Sequence, residues 1–376
     1  MENKRYCAAP WKSLHISPQS DIRVCCYGQS DFGNLQTDDI NEVMQCEELK
    51  KLRDTIKQGK LHETYCSGCI KTEEIADLSE RNWHNNIAGD FDCTTVSNDY
   101  YAPTLLDLRW NITCNMSCTY CGPTASSKWA KMLNVTELPT PSGKYLDNVL
   151  DFISTHTGSI DTVALIGGEP LLLPPNDALL NILPDTVKIM TMTNLSIDVN
   201  TNKVYNKLVK RGNVIWTVSF DNIGEQFEYV RYGGKWETMR TNLNELLGKN
   251  GDISIMSVYS LYNATRLNEF VSWYKDNNLE ANWQILTYPD CLNMLNQPKL
   301  KDIALDELTT VLSRPDLTEY EITLFSDLSE SLETAEYNDL SSELKQFTKD
   351  MELKYHPDKI GQFDKLWPEI AERINE

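Results

Sequence analysis

Three cysteines lie close together in the segment NITCNMSCTYCG, with the spacing Cys-x3-Cys-x2-Cys; they are Cys114, Cys118 and Cys121. Thiolates at such short spacing suit an iron–sulfur cluster or zinc. Both kinds of site usually take four ligands, so three cysteines leave one position open to a non-protein ligand. Because no histidine lies near this loop, an iron–sulfur cluster is favoured over zinc or an incidental group of cysteines.

A second candidate motif, Gly167–Pro170 with the sequence GGEP, follows the apolar run VALI. Adjacent glycines let a ligand approach the backbone closely, since no side chain blocks it. The Glu169 carboxylate could accept hydrogen bonds from an ammonium group. A simple strand-ending turn is the alternative. Both motifs follow neighbouring strands of a predicted parallel sheet, at the edge where the sites of α/β proteins assemble.

Short apolar runs alternate with helical patterns through the middle of the chain. The runs are LLDLRW (105–110), TVALIG (162–167), VKIMTMT (187–193), VIWTVSF (214–220), ISIMSVY (253–259) and NWQILTY (282–288). Repeated strand–helix units with nearly continuous apolar strands predict an α/β fold with a parallel sheet and helices outside it. Six such units suit a partial barrel, and a flat doubly wound sheet is the alternative.

Composition divides the chain into four regions. Residues 1–85 hold six of the eleven cysteines and are predicted to form a small cysteine-rich α+β module. Residues 86–102 are polar and are predicted to be a linker. The predicted partial barrel spans residues 103–295, and residues 296–376 are predicted to form a helical C-terminal extension because their apolar residues recur at helical spacing.

The formal net charge of −20 argues against nucleic acid or an anionic membrane surface as a partner. The N-terminal sequence MENKRYCAAPWKSLHI has no apolar core or small-residue cleavage site, so we expect no secretory signal. No apolar run is long enough to span a membrane. These features predict a cytoplasmic protein whose cysteines bind metal rather than form disulfides.

Several of these motifs resemble those of the radical S-adenosylmethionine (SAM) enzymes. The cysteine loop resembles their motif Cys-x3-Cys-x-aromatic-Cys, with Tyr120 at the aromatic position, and Gly167–Pro170 resembles their second-strand motif. The resemblance covers about residues 103–292. It continues at the third and fourth strands, with Thr193 and Asn194 in TMTNLS and with Ser219, Asp221 and Arg231 in TVSFDNIGEQFEYVRYGG.

The resemblance implies a TIM-like partial (β/α)6 barrel and a [4Fe–4S] cluster held by Cys114, Cys118 and Cys121. The amino and carboxylate groups of SAM would bind the fourth iron. Reductive cleavage of SAM would yield methionine and a 5′-deoxyadenosyl radical, which takes a hydrogen atom from the substrate. A flavodoxin- or ferredoxin-type electron donor is also implied. The implied SAM contacts are Tyr120 with the adenine, Glu169 with the ammonium group, Ser219 and Arg231 with the ribose or carboxylate, and Gly167, Gly168, Pro170, Thr193 and Asn194 at the strand ends.

The N-terminal cysteines make a second candidate metal site. Cys66 and Cys69 form a Cys-x2-Cys pair, which with Cys7 and either Cys25 or Cys26 gives four thiolates for zinc or an iron–sulfur cluster. We prefer Cys25. The segments CAAPWKSLHISPQSDIRVCC, GNL and CSGC resemble the auxiliary-cluster modules called SPASM and Twitch domains, which implies an auxiliary iron–sulfur cluster, of the [4Fe–4S] type. Such modules normally follow the barrel, whereas here the segment precedes it.

Three functions remain open at this stage. The first is a radical SAM enzyme acting on a peptide or protein side chain, because modules of this kind often serve peptide-modifying enzymes. The second is a dehydrogenase or epimerase of a small molecule such as a sugar or amino alcohol. In an epimerase, Cys291 after the sixth strand would donate a hydrogen atom, and an inert buried thiol is the alternative. The third is a non-catalytic interaction protein that carries zinc or a cluster. On the first strand, Asp107 and Arg109 are either substrate contacts or a buried ion pair.

Overall fold

The computed structural model describes residues 5–73, 79–136, 143–249, 251–336 and 338–375. The chain divides into two compact units, and this division differs from the boundaries predicted from composition, which stay a prediction. The first unit comprises Met1–Cys114, Thr136–Thr191 and Val199–Ile215, and the second comprises Asn115–Val135, Met192–Asp198 and Trp216–Glu376.

Among the described residues, nine strands belong to one sheet with the order β3-β2-β1-β4-β5-β6-β7-β8-β9. They are β1 (Ser13–Ile16), β2 (Asp21–Arg23), β3 (Gly33–Asn34), β4 (Leu105–Leu108), β5 (Thr162–Leu165), β6 (Lys188–Thr193), β7 (Val214–Ser219), β8 (Asp252–Tyr259) and β9 (Glu280–Ile285). The six predicted runs match β4 to β9, which follow one another without the order reversal of a doubly wound sheet. This topology is that of a partial (β/α)6 TIM-like barrel, as predicted.

The N-terminal strands extend the sheet beyond β4 within the first unit. Strand β1 pairs in parallel with β4, with His15 opposite Asp107. Strands β2 and β3 continue the sheet in antiparallel pairings. All residues of β1 and β4 are buried, as expected for strands covered on both faces.

Short helices surround these N-terminal strands. Helix α3 buries Leu49, Leu52 and Ile56 on the apolar face that its periodicity indicates. Helix α5 begins after Ser79, whose side chain accepts a hydrogen bond from the backbone N of Asn82. The helices of this region are α1 (Ala9–Lys12), α2 (Ile40–Val43), α3 (Glu47–Lys57), α4 (Ser67–Glu73) and α5 (Glu80–Ala88).

At least one helix lies between each two consecutive strands from β4 to β9. Helix α7, for example, buries Val149, Phe152 and Ile153 on one face, as expected of a helix that covers a sheet. The helices of this region are α6 (Ser127–Met132), α7 (Lys144–His156), α8 (Pro174–Ile182), α9 (Lys203–Arg211), α10 (Gly224–Val230), α11 (Trp236–Leu247), α12 (Leu261–Ala264) and α13 (Leu267–Asp276).

The chain after β9 is helical and belongs to the second unit. Helix α15 begins with a capping box, in which the side chains of Thr318 and Glu321 each accept a backbone N–H of the other. None of the described helices has both the length and the apolar character needed to cross a membrane. The helices are α14 (Lys301–Leu312), α15 (Glu319–Thr334), α16 (Ser341–Asp350), α17 (Gln362–Leu366) and α18 (Pro368–Asn375).

Candidate functional sites

Four cysteines from three separate segments line one pocket of the first unit. They are Cys7 before α1, Cys25 after β2, and Cys66 and Cys69 at the start of α4. Cys7 and Cys69 are buried, and the other two are half-buried. Four convergent thiols are a suitable donor set for zinc or an iron–sulfur cluster. Apolar and charged side chains complete the lining, among them Val24, Leu52, Ile56, Tyr65, Glu80, Arg81 and His84.

Without a cation nearby, the thiols in this pocket have raised pKa values and keep their protons. Burial raises the pKa of the Cys7 thiol well above its usual value, the neighbouring Cys25 adds to the rise, and a backbone hydrogen bond from Ala9 opposes it. Burial and the thiols of Cys69 and Cys66 raise the pKa of Cys25 to about 12. A metal site reverses this preference, because thiolates are the ligands and metal binding releases their protons.

The Cys26 thiol has a different environment from that of Cys25. Its Sγ donates a hydrogen bond to Glu80 Oε1 at 3.3 Å. Among the described residues, Cys25 lines the four-thiol pocket and Cys26 does not. Cys26 instead lines an adjoining pocket together with His15 and Asp107.

The spacing of these side chains bears on which metal group they suit. In the described part of the chain, no group of three or more Cys, His, Asp or Glu side chains is placed to hold a single metal ion. Tetrahedral zinc, with Zn–S bonds of about 2.3 Å, would need sulfurs roughly 3.8 Å apart. A four-iron cluster spaces its ligands more widely, because each sulfur binds a different iron. Four thiols suit either group, and the wider spacing is the one that a cluster needs.

A buried ion pair lies on β4 beside this region. Asp107 is 9% exposed, and its carboxylate accepts hydrogen bonds from Arg109 Nε at 3.1 Å and Nη2 at 2.9 Å. His15 Nδ1 lies 2.9 Å from the same carboxylate. Burial would raise the pKa of Asp107, but His15 and Arg109 outweigh it and lower the pKa to about 2. Of the two alternatives left by the sequence, the structure shows the ion pair, with Asp107 buried and Arg109 half-buried.

The turn after β5, Gly167–Pro170, packs against residues 111–113, which lead directly into Cys114. The backbone N of Glu169 donates to the carbonyl oxygen of Thr113 at 2.7 Å. The Glu169 side chain is fully buried, and its Oε1 accepts a hydrogen bond from the backbone N of Leu171 at 3.1 Å. The GGEP motif and the segment before the first cysteine of the loop are therefore in direct contact.

The two glycines of this turn make the contact possible. A Cβ on Gly168 would lie only 2.2 Å from the carbonyl oxygen of Thr113. Gly167 has a φ of +126°, which side chains disfavour, and a Cβ there would lie 3.1 Å from the oxygen of Asn111. The sequence suggested close approach of a ligand to these glycines. In the structure, their nearest neighbour is the backbone that precedes Cys114.

The second part of the cysteine loop belongs to the second unit and pairs with the end of α10. The backbone N of Ser117 donates to the oxygen of Tyr232, and that of Thr119 donates to the oxygen of Val230, both at 2.8 Å. These two hydrogen bonds flank Cys118. Both Cys118 and Cys121 are half-buried.

Tyr120 and Arg231 share one carboxylate in the second unit. The Tyr120 hydroxyl donates to Asp221 Oδ2 at 2.5 Å, and Arg231 donates from Nε at 2.9 Å and from Nη2 at 3.1 Å. The backbone N of Val258 adds a fourth hydrogen bond at 2.7 Å. Asp221 is 1% exposed and Arg231 is 7% exposed. The sequence pointed to Asp221 as part of a family motif but assigned it no role.

The predicted residues after β6 also contact the cysteine loop within the second unit. Asn194 Nδ2 donates to Asn115 Oδ1 at 2.8 Å, and Asn115 Nδ2 donates to the oxygen of Ser196 at 2.8 Å. Thr193 Oγ1 accepts a hydrogen bond from the backbone N of Leu195. Both predicted residues are buried. Asn194 therefore fixes a residue that lies between the first two cysteines of the motif.

Two further predicted residues lie in the second unit. Ser219 ends β7 and is half-buried. Cys291 lies in a short 3-10 turn, Asp290–Leu292, and is 7% exposed. Burial raises the pKa of the Cys291 thiol to about 11, so the thiol keeps its proton at neutral pH.

Comparison with known proteins gives one family match. Residues 7–70 match the SPASM family, described as an iron-sulfur cluster-binding domain. A search of curated proteins by sequence gives no match. Similar solved structures include native anSMEcpe with bound AdoMet, at 17% identity and a TM-score of 0.43, over 55% of this chain and 59% of that chain. Another is Streptococcus suis SuiB bound to precursor peptide SuiA, at 13% identity and a TM-score of 0.43, over 73% of this chain and 67% of that chain.

The chain thus spans less than two thirds of the length of the first of these structures. The family match covers all four cysteines of the N-terminal pocket and ends one residue after Cys69. It confirms the predicted SPASM module and its position before the barrel. The similarity to an iron–sulfur cluster-binding domain therefore lies in the N-terminal segment, at residues 7–70.

Proposed function

We propose that the protein is a radical SAM enzyme with a SAM-binding [4Fe–4S] cluster and an auxiliary cluster. Cys114, Cys118 and Cys121 hold the first cluster. The three-cysteine spacing leaves one iron for a non-protein ligand, which suits the amino and carboxylate groups of SAM. When bound, the cluster and SAM supply reductive cleavage to methionine and a 5′-deoxyadenosyl radical, which takes a hydrogen atom from the substrate.

The contact between the turn after β5 and residues 111–113 is the observation that carries this proposal. Gly168 has no room for a side chain, and the Glu169 backbone is hydrogen-bonded to Thr113. The turn and the entry to the cysteine loop are therefore held in a fixed arrangement. The contact places the GGEP turn beside the segment that leads into Cys114, which supports a single site built from both motifs.

The residues around the loop have distinct proposed roles. Glu169 binds the SAM ammonium group, and Tyr120 contacts the adenine. Asp221 orients Tyr120 and Arg231, since it accepts hydrogen bonds from both. Ser219 and Arg231 contact the ribose or carboxylate, although two guanidinium nitrogens of Arg231 already bind Asp221. Thr193, Asn194 and the remaining residues of the GGEP turn complete the proposed SAM contacts.

Cys7, Cys25, Cys66 and Cys69 are the proposed ligands of the auxiliary [4Fe–4S] cluster. Their common pocket supports this set. The hydrogen bond between Cys26 and Glu80 supports Cys25 over its neighbour as the fourth ligand.

The proposed substrate is a peptide or protein side chain. The SPASM match supports this choice, because modules of this family often serve peptide-modifying enzymes. A flavodoxin- or ferredoxin-type protein is the proposed electron donor. The buried Cys291 offers little support for the epimerase alternative, in which a thiol must reach the substrate radical.

The cluster assignment can be tested by metal analysis and SAM cleavage. We expect protein purified without oxygen to contain about eight irons and eight sulfides per chain, and to release 5′-deoxyadenosine with dithionite and SAM. Replacing Cys114, Cys118 and Cys121 by alanine should remove about four irons and abolish cleavage. Cys46→Ala is the matched control, because Cys46 precedes α3 and its side chain makes no capping hydrogen bond. Undiminished SAM cleavage by the triple variant would refute the proposal.

The substrate class needs a separate experiment. A short reading frame beside the gene would supply a candidate peptide, and incubation with SAM and reductant should change its mass by a defined number of hydrogens. The same assay with sugars and amino alcohols tests the small-molecule alternative. Turnover of a small molecule but not of the peptide would exclude the peptide assignment and leave the SAM chemistry intact.

A further inference from the structure

His84, on α5, is a polar residue of the auxiliary-cluster pocket that no cysteine motif indicates. It lies outside the matched residues 7–70 but lines the same pocket as the four cysteines. The side chain is only 5% exposed. It also lines the adjoining pocket together with Cys26 and His15.

The two ring nitrogens of His84 have different surroundings. Nδ1 lies 2.9 Å from Ser13 Oγ, within hydrogen-bond distance. Nε2 has no hydrogen-bond partner among the described residues. The nearest carboxylate oxygen, Glu80 Oε1, is 3.6 Å away, which is beyond hydrogen-bond distance. A buried polar atom left without a partner costs about 1–3 kcal/mol, so a cluster sulfur that accepted from Nε2 would remove this cost.

The Ser13 hydroxyl can donate to Nδ1 or accept from it, so two tautomers of the neutral ring fit this contact. When the Ser13 hydroxyl donates to Nδ1, the proton of the neutral ring is on Nε2, and Nε2 becomes a donor. The sulfides and thiolates of an iron–sulfur cluster are acceptors for such a donor. The cysteine pocket is lined by no other histidine among the described residues.

We propose that His84 Nε2–H donates a hydrogen bond to a sulfur of the auxiliary cluster and raises the reduction potential of that cluster. His84 is then a positioning residue, with the Ser13 hydroxyl donating to its Nδ1. Reduction adds negative charge to the cluster, so a hydrogen bond to sulfur stabilises the reduced form more than the oxidised form. This inference rests on the auxiliary cluster assigned to Cys7, Cys25, Cys66 and Cys69.

The experiment uses the full chain with Cys114, Cys118 and Cys121 replaced by alanine, so that the auxiliary cluster is the one observed. In this background we compare His84→Phe, which keeps a planar aromatic ring without a donor, with His84→Gln, which keeps an N–H group. His156→Phe is the matched control, because His156 Nδ1 contacts the Phe152 oxygen on α7 and does not line the pocket. Electron paramagnetic resonance at a series of fixed potentials measures the reduced fraction.

We expect all variants to retain about four irons per chain. In His84→Phe, the ratio of reduced to oxidised cluster at a fixed potential should fall about tenfold, which is a shift of about 59 mV for one electron. His84→Gln should recover part of this loss. With 15N-histidine, a weak nitrogen coupling to the reduced cluster should be present in the parent protein and absent from His84→Phe.

Several results would overturn the inference. An unchanged potential in His84→Phe would show that the imidazole does not contact the cluster. Loss of iron in both His84 variants, or a strong nitrogen coupling in the parent, would make His84 an iron ligand instead. Zinc in place of iron in the triple-alanine background would overturn the auxiliary cluster itself, and metal analysis identifies that outcome separately.

Discussion

Replacing Gly168 by alanine should force the turn after β5 away from the cysteine loop. The added Cβ would lie 2.2 Å from the oxygen of Thr113 and 2.6 Å from the carbonyl carbon of Ile112. Ordinary contact begins at 3.4 Å, so one of the two backbone segments must move by about 1.2 Å. Both obstructing atoms belong to the backbone, so no side chain can rotate to relieve the overlap.

The structure gives the size of the expected effect. A shift of this length would break the hydrogen bond from Glu169 N to Thr113 O, which is now 2.7 Å long. Overpacking in a dense region costs about 1–3 kcal/mol, and a buried amide left without its partner costs about 1–3 kcal/mol more. We therefore expect Gly168→Ala to lower the free energy of unfolding by about 3 kcal/mol.

Denaturant unfolding without oxygen measures this loss, and Gly122→Ala is the matched control. Gly122 follows Cys121, and no atom lies within 4 Å of its added Cβ. We expect the control to change the free energy of unfolding by less than about 0.5 kcal/mol. Equal unfolding midpoints and slopes for the two variants would show that the contact at Gly168 does not hold the turn, and would remove the main support for the proposed SAM site.

Three further predictions concern the clusters and two buried ion pairs. Cys25→Ala should lower the iron content by about four per chain, whereas Cys26→Ala should leave it unchanged; the reverse result in iron analysis would exchange the two assignments. Asp221→Asn should destabilise the protein by about 3–5 kcal/mol, because Arg231 would remain charged and buried. The control is Glu237→Gln, which removes an exposed ion pair, and an equal shift of the unfolding midpoint in the two variants would contradict the prediction. Lys275→Met should lower the free energy of unfolding by a similar amount, since the buried Glu321 loses the Lys275 ammonium group, whose Nζ lies 2.7 Å from its Oε2. Thermal unfolding measures this loss, and the comparison is Lys249→Met, whose ion-pair partner is exposed.

Strands β4 and β5 can be predicted from the sequence because burial on both faces demands nearly continuous apolar residues, whereas β6 to β9 alternate between buried and less buried positions. Strand β4 illustrates this, since all four of its residues are buried. The predicted runs continue past the strand ends at several places, because the residues that follow a strand remain buried in the turn. Trp110, two residues beyond β4, is fully buried and donates to Asn176.

The contacts of the proposed SAM residues could not be predicted in the same way. Tyr120 and Asp221 are 101 positions apart, and nothing in the local sequence indicates that one carboxylate serves both Tyr120 and Arg231. Residue type shows what a side chain can do, and the three-dimensional structure shows which partner it has. Cys25 and Cys26 show this most clearly, because adjacent cysteines have almost the same sequence spacing to every other ligand and the sequence cannot choose between them.

The parallel pairing of β1 with β4 explains how a SPASM module can precede its barrel. The module reaches the sheet through β1, whose residues lie opposite those of β4 from Ser13 to Ile16. Strand β4 leads into the segment that contacts the GGEP turn and then reaches Cys114. An N-terminal module can therefore join the sheet beside the first barrel strand, since β1 pairs with the edge of β4 that β5 does not occupy. The hydrogen-bonded pair of His15 and Asp107 favours this register, because a slip of β1 by one residue would turn His15 to the face opposite Asp107.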